Sequence, residues 1–279
     1  MSDTVTAAPA ATTSESQAQG HEGNFIWYEL MTSDQDAAID FYTSVVGWTA
    51  ADFPTPGGEA FRYTILSAGE RGIAGLIQIS DEMRENGARP AWVGVINVGD
   101  CDSGAEAVET AGGKVLRAPE DIPTIGRFAV VADPGGAVYQ LLAPFPREEE
   151  PKPLAPETPG KVGWHELYSS VGQEKAFAFY SGLYGWKTET EMDMGPMGKY
   201  RIFSKDGVHL GGMMDKPENI PASTWGFYVT VDAIDAAIAR IEANGGEILI
   251  GPHEVPGGSW IVQALDPQGA AFALTAARR

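Results

Sequence analysis

The chain contains an internal repeat, and this repeat constrains the fold more than any other feature. Residues 27–48, WYELMTSDQDAAIDFYTSVVGW, recur at residues 164–186 as WHELYSSVGQEKAFAFYSGLYGW, with one residue inserted before the second helix. Two further pairs recur in the same order: residues 98–113 with 231–246, and the Asp-Pro-x-Gly-Ala turns at 133–137 and 266–270. Signatures that recur in one order predict two copies of one domain, so equivalent positions can be compared within the chain.

The composition excludes several classes of protein. The 279 residues, 43% of them hydrophobic and 20% charged, suit two compact domains that each bury a core. A net charge of -19 without clustered Lys or Arg argues against nucleic acid and membranes as partners. The single cysteine excludes an internal disulfide, and no apolar run is long enough to span a bilayer. A reducing cytoplasm is the predicted location.

Changes in composition along the chain predict the domain boundaries. Residues 1–22 are rich in Ala, Thr, Ser and Gln, without the basic and apolar regions of a signal peptide, and are predicted to be a disordered tail. The first domain is predicted at residues 23–145 and the second at 160–279. The linker at residues 146–159 lies in a Pro-rich segment, which favours an extended, semi-rigid connection. The sequence thus predicts two domains that are tethered rather than fused.

Each copy is predicted to contain two successive modules, and each module consists of a strand, a helix and further strands. In the first copy, the first strand is followed by a helix capped by Ser33 or Asp34 and ended by Gly47, and a second helix begins at Asp102. The predicted strands are 25–31, 61–67, 73–79, 92–98, 128–132 and 138–142, which alternate or run apolar.

These motifs together resemble a known superfamily. The Phe-Tyr-x4-Gly-Trp helix ends at 41–48 and 179–186, the Gly-Gly after the second helix and the Asp-Pro-x-Gly turn are similar to the glyoxalase/bleomycin-resistance/extradiol-dioxygenase proteins, also called the vicinal oxygen chelate superfamily. The resemblance covers residues 24–276. It implies an α+β fold of tandem glyoxalase-like domains, each made of two βαβββ modules that curl into a cup. We therefore expect four modules and two cups.

The resemblance also implies a divalent metal, and the residues can be checked against it. Enzymes of this superfamily hold the metal with His or Gln from the first strand of each module and Glu from a last strand, because such a cation needs converging N and O ligands. The equivalent positions here are Trp27, Trp164, Val93, Gly226, Gln140 and Ala273. Only Gln140 could coordinate, so we expect no metal or other cofactor, with a divalent metal as the alternative.

The position of the inserted residue decides the role of His165. If the insertion lies in the strand, His165 moves to a metal-ligand position. Side chains of a strand alternate between its faces, however, and Leu167 is expected under the helix, which places His165 on that face as well. Trp164 and Glu166 then face the cup, as do Trp27 and Glu29 in the first domain.

The predicted cups are rich in aromatic residues, as small-molecule pockets are. The candidate ligand-binding residues are Trp27, Tyr63, Trp92, Gln140, Trp164, His165, Tyr200, Trp225 and Trp260. Core packing is the alternative role for such residues, and it is favoured for Trp92 and Trp225.

Glu29 and Glu166 are the candidate catalytic residues. A carboxylate on an apolar inner face is costly unless it is paired, and desolvation would raise its pKa toward the range of a general base. The alternative is an ion pair, for which Arg62, Arg127 and Arg201 are available, or a hydrogen bond to a neighbouring strand.

Two classes of function stay open. The favoured one is a metal-free protein that encloses a small apolar or aromatic molecule, as the resemblance to the drug-resistance members implies. The other is a glyoxalase-type lyase or isomerase that uses a carboxylate base and, in the alternative, a metal. A small molecule is the expected partner, and homodimer formation stays open.

Overall fold

The computed structural model describes residues 22–54, 62–147 and 153–279. The predicted tail, apart from Glu22, lies outside these residues, as does the middle of the predicted linker. Among the described residues no helix is long and apolar enough to cross a membrane.

Each domain forms a sheet of eight strands within the described residues. The strands of domain 1 are β1 (Phe25–Thr32), β2 (Thr49–Phe53), β3 (Tyr63–Ala68), β4 (Arg71–Gln78), β5 (Ala91–Asn97), β6 (Lys114–Ile122), β7 (Gly126–Ala132) and β8 (Val138–Pro144). Those of domain 2 are β9 (Val162–Ser169), β10 (Lys187–Asp193), β11 (Lys199–Lys205), β12 (Val208–Asp215), β13 (Thr224–Thr230), β14 (Glu247–Glu254), β15 (Trp260–Leu265) and β16 (Ala271–Ala276).

In the same part of the chain, four helices of 10 or 12 residues and one short helix accompany the sheets. They are α1 (Gln35–Val46), α2 (Asp81–Glu85), α3 (Cys101–Thr110), α4 (Gln173–Tyr184) and α5 (Ile234–Ala243). A 3-10 turn at Gly195–Met197 lies between β10 and β11.

The two sheets have the same strand order, which confirms the predicted α+β fold of tandem cup-forming domains. Domain 1 is ordered β2-β3-β4-β1-β5-β8-β7-β6, and domain 2 is ordered β10-β11-β12-β9-β13-β16-β15-β14. The first strands of the two modules pair antiparallel at the centre, β1 with β5 and β9 with β13. The modules therefore pair within a domain.

The caps of the first helices show where the inserted residue lies. The carboxylate of Asp34 accepts the Ala37 N–H at the start of α1, and Gly47 ends that helix in the left-handed conformation that glycine adopts without strain. Two residues separate β1 from α1, whereas residues 170–172 separate β9 from α4. The insertion is in the loop, so Trp164 is the equivalent of Trp27.

The domains share one hydrophobic core, so the prediction of tethered domains that do not fuse is wrong. Central strands of the two sheets contact each other directly, with the Phe25 and His165 rings stacked at 4.2 Å between centroids. At the sides, α1 packs against α5 and α3 against α4. The linker composition gave no sign of this contact, because a Pro-rich segment sets reach and stiffness without excluding docking.

Reciprocal hydrogen bonds join the domains. Tyr42 of α1 donates to Asp266 Oδ2 at 3.0 Å, and Tyr180 of α4 donates to Asp133 Oδ2 at 3.3 Å. The indole N–H of Trp48 donates to the Gly160 carbonyl, while that of Trp186 donates to the Gly23 carbonyl. The helix-end and Asp-Pro motifs of each copy thus bind the other copy.

Candidate functional site

The first strand of each domain presents one face to the shared core and the other to the cup. Tyr28 and Leu30 are buried on the core side of β1, whereas Trp27, Glu29 and Met31 line a cavity on the opposite face. This is the orientation that the alternation of the strand predicted.

The cup of domain 1 holds a cavity of about 2630 Å³. Four predicted site residues line it, namely Trp27, Glu29, Tyr63 and Gln140. Apolar side chains make up much of the remaining wall, including Met31, Ile65, Val95, Phe128, Val130 and Leu142. The same cavity also reaches charged side chains, such as Asp52, Arg117 and Lys161. A concave surface that combines apolar walls with polar groups is typical of a small-molecule site.

The carboxylate of Glu29 is hydrogen-bonded at one oxygen. Its Oε1 accepts from Trp27 Nε1 at 2.9 Å and from Tyr63 Oη at 2.6 Å. Its Oε2 is buried and has no hydrogen-bond partner among the described residues. Desolvation raises the pKa of Glu29 to about 7, although the hydrogen bonds from Tyr63 and Trp27 partly oppose this shift.

Gly75 of β4 allows the Tyr63 phenol to lie against the strand beside Glu29. A Cβ atom at this position would be 1.8 Å from Tyr63 Oη and 2.5 Å from Glu29 Oε2. Domain 2 repeats the arrangement, since a Cβ at Gly212 would be 2.0 Å from Cζ of Tyr200. Only glycine leaves room for the phenol in each copy.

The carboxylate of Glu166 in domain 2 is hydrogen-bonded at both oxygens. Tyr200 donates to Oε1 at 2.9 Å. Tyr168, Tyr228 and Gln263 donate to Oε2 at 2.5, 2.7 and 3.2 Å. The Gln263 amide also donates to the hydroxyls of Tyr168 and Tyr228, so the polar groups form a connected network.

Three of the residues around Glu166 have apolar equivalents in domain 1. Tyr168, Tyr228 and Gln263 correspond to Met31, Val95 and Val130. The strand register agrees, because Val95 pairs with Trp27 as Tyr228 pairs with Trp164. The repeated sequence contains this signal, but sequence reasoning missed it because it did not compare Tyr168, Tyr228 and Gln263 with their equivalents in the first copy.

The three candidate arginines neutralise neither glutamate, so the predicted ion-pair alternative is wrong. Arg62 pairs with Asp36 and Asp52, and Arg127 pairs with Asp102 and Asp121. Arg201 pairs with Glu191 and lies over the Phe177 ring. Neutral phenol, indole and amide donors supply the hydrogen bonds to the two carboxylates.

Four predicted ligand-binding residues lie outside the cups, and these predictions are corrected. Trp92 and Trp225 pack in the interdomain core, where their indole N–H groups donate to the hydroxyls of Tyr42 and Tyr180. Trp260 packs against the same core beneath the Arg279 guanidinium. Because Gln263 faces the cup, Trp260, three positions earlier in β15, faces away from it.

His165 is the fourth of these residues, and it is a core histidine. Its Nδ1 lies 2.6 Å from the Leu210 carbonyl, and its Nε2 lies 2.7 Å from Tyr28 Oη. The carbonyl can only accept, so Nδ1 carries the proton and the Tyr28 hydroxyl donates to Nε2. Burial lowers the pKa of His165 to about 4, which keeps the ring neutral.

The remaining aromatic candidates lie with the glutamates. Trp164 Nε1 donates to Tyr200 Oη at 2.8 Å, which extends the Glu166 network. Trp27 Nε1 likewise lies 3.0 Å from Tyr63 Oη in domain 1. Each cup therefore holds a tryptophan, a tyrosine and a glutamate in equivalent places.

The residues in the metal-ligand positions do not fit a divalent metal. Trp27 and Val93 provide no oxygen or imidazole ligand, and Gln140 provides a single amide. Within the described ranges, no three His, Cys, Asp or Glu side chains converge in a group that could hold a metal ion.

Comparisons with known proteins agree with the fold. A family model described as the Glyoxalase/Bleomycin resistance protein/Dioxygenase superfamily matches residues 24–141 and 170–274. The Mn(II)-bound glyoxalase of Novosphingobium aromaticivorans has a similar structure, with a TM-score of 0.63 at 18% identity, covering 93% of this chain and 83% of that one. At such low identity the likeness concerns the fold alone.

Curated relatives match over nearly the whole chain. CFP32 of Mycobacterium tuberculosis (strain CDC 1551 / Oshkosh), which carries the name of a glyoxylase, is 32% identical over 253 residues, 91% of this chain and 94% of its own. The anthracycline biosynthesis protein DnrV of Streptomyces peucetius is 30% identical over 264 residues, 90% of this chain and 92% of its own. The chain belongs to the glyoxalase/bleomycin resistance protein/dioxygenase superfamily.

Proposed function

We propose that domain 1 binds a small apolar or aromatic molecule in its cup, with Glu29 as the polar group that contacts the molecule. The observation that carries this proposal is the contrast between the two carboxylates. Glu166 is surrounded by donors from its own domain, whereas Glu29, which lines the cavity of domain 1, has a buried Oε2 that no described residue donates to. A buried carboxylate oxygen without a partner is costly, so a ligand that supplies one gains binding energy.

The names of relatives support a ligand of this class. DnrV is named for anthracycline biosynthesis, and anthracyclines are polycyclic aromatic molecules. The apolar wall formed by Val95, Phe128 and Leu142 suits the faces of such rings. Domain 2, whose glutamate is already hydrogen-bonded at both oxygens, then serves as the structural partner.

A thermal-shift screen of small aromatic compounds tests the proposal. We expect compounds that raise the Tm of the wild-type chain to have no effect on Val95→Tyr, in which the phenol of domain 2 is copied into the cup. Tyr228→Phe, at the equivalent position of domain 2, is the matched control and should keep the response. Equal responses in Val95→Tyr and the wild type would contradict binding in the domain 1 cup.

A second candidate function is favoured by the raised pKa of Glu29. With its pKa at about 7, Glu29 is near the optimum for a general base at neutral pH. It would take a proton from a hydroxyl-bearing carbon beside a carbonyl, and the electron pair would move to the carbonyl oxygen. Return of the proton to the former carbonyl carbon, with the hydroxyl proton passing to the former carbonyl oxygen, would leave a new carbonyl on the first carbon and complete an isomerisation.

This base role makes a pH-dependent prediction. Exchange of the substrate proton for solvent deuterium, followed by NMR, should rise with pH and level off above about pH 7, because only the ionised carboxylate accepts a proton. Glu29→Gln should abolish the exchange. Exchange that persists in this variant, or that falls as the pH rises, would contradict the role.

We further propose that the cup works without a metal. Elemental analysis of the purified chain should find far less than about one Ni, Zn, Fe or Mn per chain, since the equivalent positions lack ligands. The opposite result would be a stoichiometric metal whose removal by a chelator abolishes an activity, and it would favour a metal-dependent lyase.

A further inference from the structure

The cup of domain 2 shows which hydrogen-bond donors are missing from the cup of domain 1. In domain 2, the side chains that donate to Glu166 Oε2 come from β9, β13 and β15. In domain 1, the same places on β1, β5 and β7 hold Met31, Val95 and Val130, apolar side chains that line the cavity. The Oε1 side is alike in both domains, because Tyr63 and Tyr200 donate there.

The chemistry of the missing groups indicates what a ligand must bring. Two of the three donors in domain 2, Tyr168 and Tyr228, are hydroxyl groups carried on aromatic rings. Their replacement by Met31 and Val95 removes the hydroxyls and leaves apolar walls around a buried acceptor. A molecule complementary to both features is a flat apolar ring system with a hydroxyl donor at one edge.

We infer that the domain 1 cup takes a phenolic ligand, whose hydroxyl donates to Glu29 Oε2 in the place of the Tyr168 and Tyr228 hydroxyls. This inference rests on the proposed binding function and specifies its ligand. Above about pH 7, where Glu29 is ionised, its carboxylate would repel an anionic ligand. Met31 lies on the same face of β1 as Glu29, and its unbranched side chain can move to admit a ring.

The test compares naphthol with its methyl ether, methoxynaphthalene, by isothermal titration calorimetry on the full chain. The two molecules have the same ring system, but only naphthol can donate. A hydrogen bond to a charged group should make naphthol bind the wild type about tenfold more tightly or better. In Glu29→Gln, an amide N–H₂ takes the place of Oε2, so the preference should fall to about twofold or less.

The outcomes separate this inference from the proposed function. Equal binding of the two compounds to the wild type, weakened for both by Val95→Tyr, would overturn the phenolic class and leave the cup as a binding site. Tighter binding of naphthylmethylammonium than of naphthol would also overturn it, in favour of a cationic ligand. Absence of binding by all the compounds would contradict both proposals. Both proposals would be supported if Glu29→Gln loses the preference for naphthol and Tyr228→Phe keeps it.

Discussion

Residues 23–145 and 160–279, expressed as separate chains, are expected to be poorly stable alone and to regain stability when mixed. The sequence predicts two compact domains that each bury a core, and each half does contain a complete sheet. The shared core changes this expectation. Separation would expose Phe25, Tyr42 and Trp48 on one half and their partners on the other.

The size of the effect follows from the buried aromatic area. If Phe25, Tyr42 and Trp48 each lose half of the ~150–250 Å² that an aromatic side chain buries, the cost at ~25 cal/mol per Å² is about 7 kcal/mol. That is comparable with the whole stability of a small domain. The loss of the hydrogen bonds to Asp266 and Gly160 adds to this cost.

Urea titration of each half, of the mixture and of the intact chain measures this effect. We expect a much lower midpoint for each half, and size-exclusion chromatography should show a one-to-one complex in the mixture. The intact chain with its linker cut by a protease is the matched control, and it should keep the two halves together. A half that unfolds cooperatively at the midpoint of the intact chain would contradict the dependence.

Glu29→Gln and Glu166→Gln are expected to change stability in opposite directions near pH 8. The pKa of Glu29 is raised from 4.5 to about 7 in the folded protein, so the folded state keeps a proton that the unfolded chain releases. The stability associated with this group is present below pH 4.5 and is lost as the pH rises through about 7. The ionised carboxylate therefore destabilises the fold on the order of 3 kcal/mol above that pH.

Removing the buried charge of Glu29 should stabilise the protein by more than the new amide group destabilises it. The amide N–H₂ that Glu29→Gln introduces would lack an acceptor, which costs about 1–2 kcal/mol, so a net gain of about 1–2 kcal/mol is expected near pH 8. Near pH 5 the gain should vanish, because Glu29 is then protonated in the folded state.

Glu166→Gln should instead destabilise the protein. Its amide N–H₂ would face hydroxyl and amide donors from Tyr168, Tyr228 and Gln263, and about 3 kcal/mol would be lost as the charge-assisted hydrogen bonds disappear. Urea titrations of both variants at the two pH values measure these effects. Destabilisation by Glu29→Gln at both pH values would contradict the assignment of Glu29 as a ligand-contacting group.

The parts of the fold that sequence reasoning predicted are those with a strong apolar pattern. Strand β1 alternates, and this alternation placed Trp27 and Glu29 in the cup correctly. The outer strands β2 and β6 were missed, because their side chains are largely exposed and carry little apolar alternation. The short helix α2 was missed for the same reason, since it buries no residue.

Within the candidate site, the sequence predicted only the side-chain positions that are set by contacts inside one domain. Glu29 and Glu166 were recognised as unusual from one strand each, and the structure gives them different surroundings. Core packing was favoured for Trp92 and Trp225, and the strand alternation turned His165 away from the cup. That the two domains share this core was not predicted, because no local pattern records which face docks there. Residue type alone did not separate an interdomain tryptophan from one that lines a cup.

The reciprocal contacts between the domains bear on how this chain arose. Tyr42 with Asp266, and Tyr180 with Asp133, form the pattern of a two-fold dimer, in which each partner offers the same groups to the other. A duplicated and fused gene would retain such an interface inside one chain. In a dimer of identical subunits, any change to a cup occurs twice. Fusion removes that constraint, because each cup can then change separately. Met31, Val95 and Val130 line the cup of domain 1, whereas two tyrosines and a glutamine occupy the equivalent positions in domain 2.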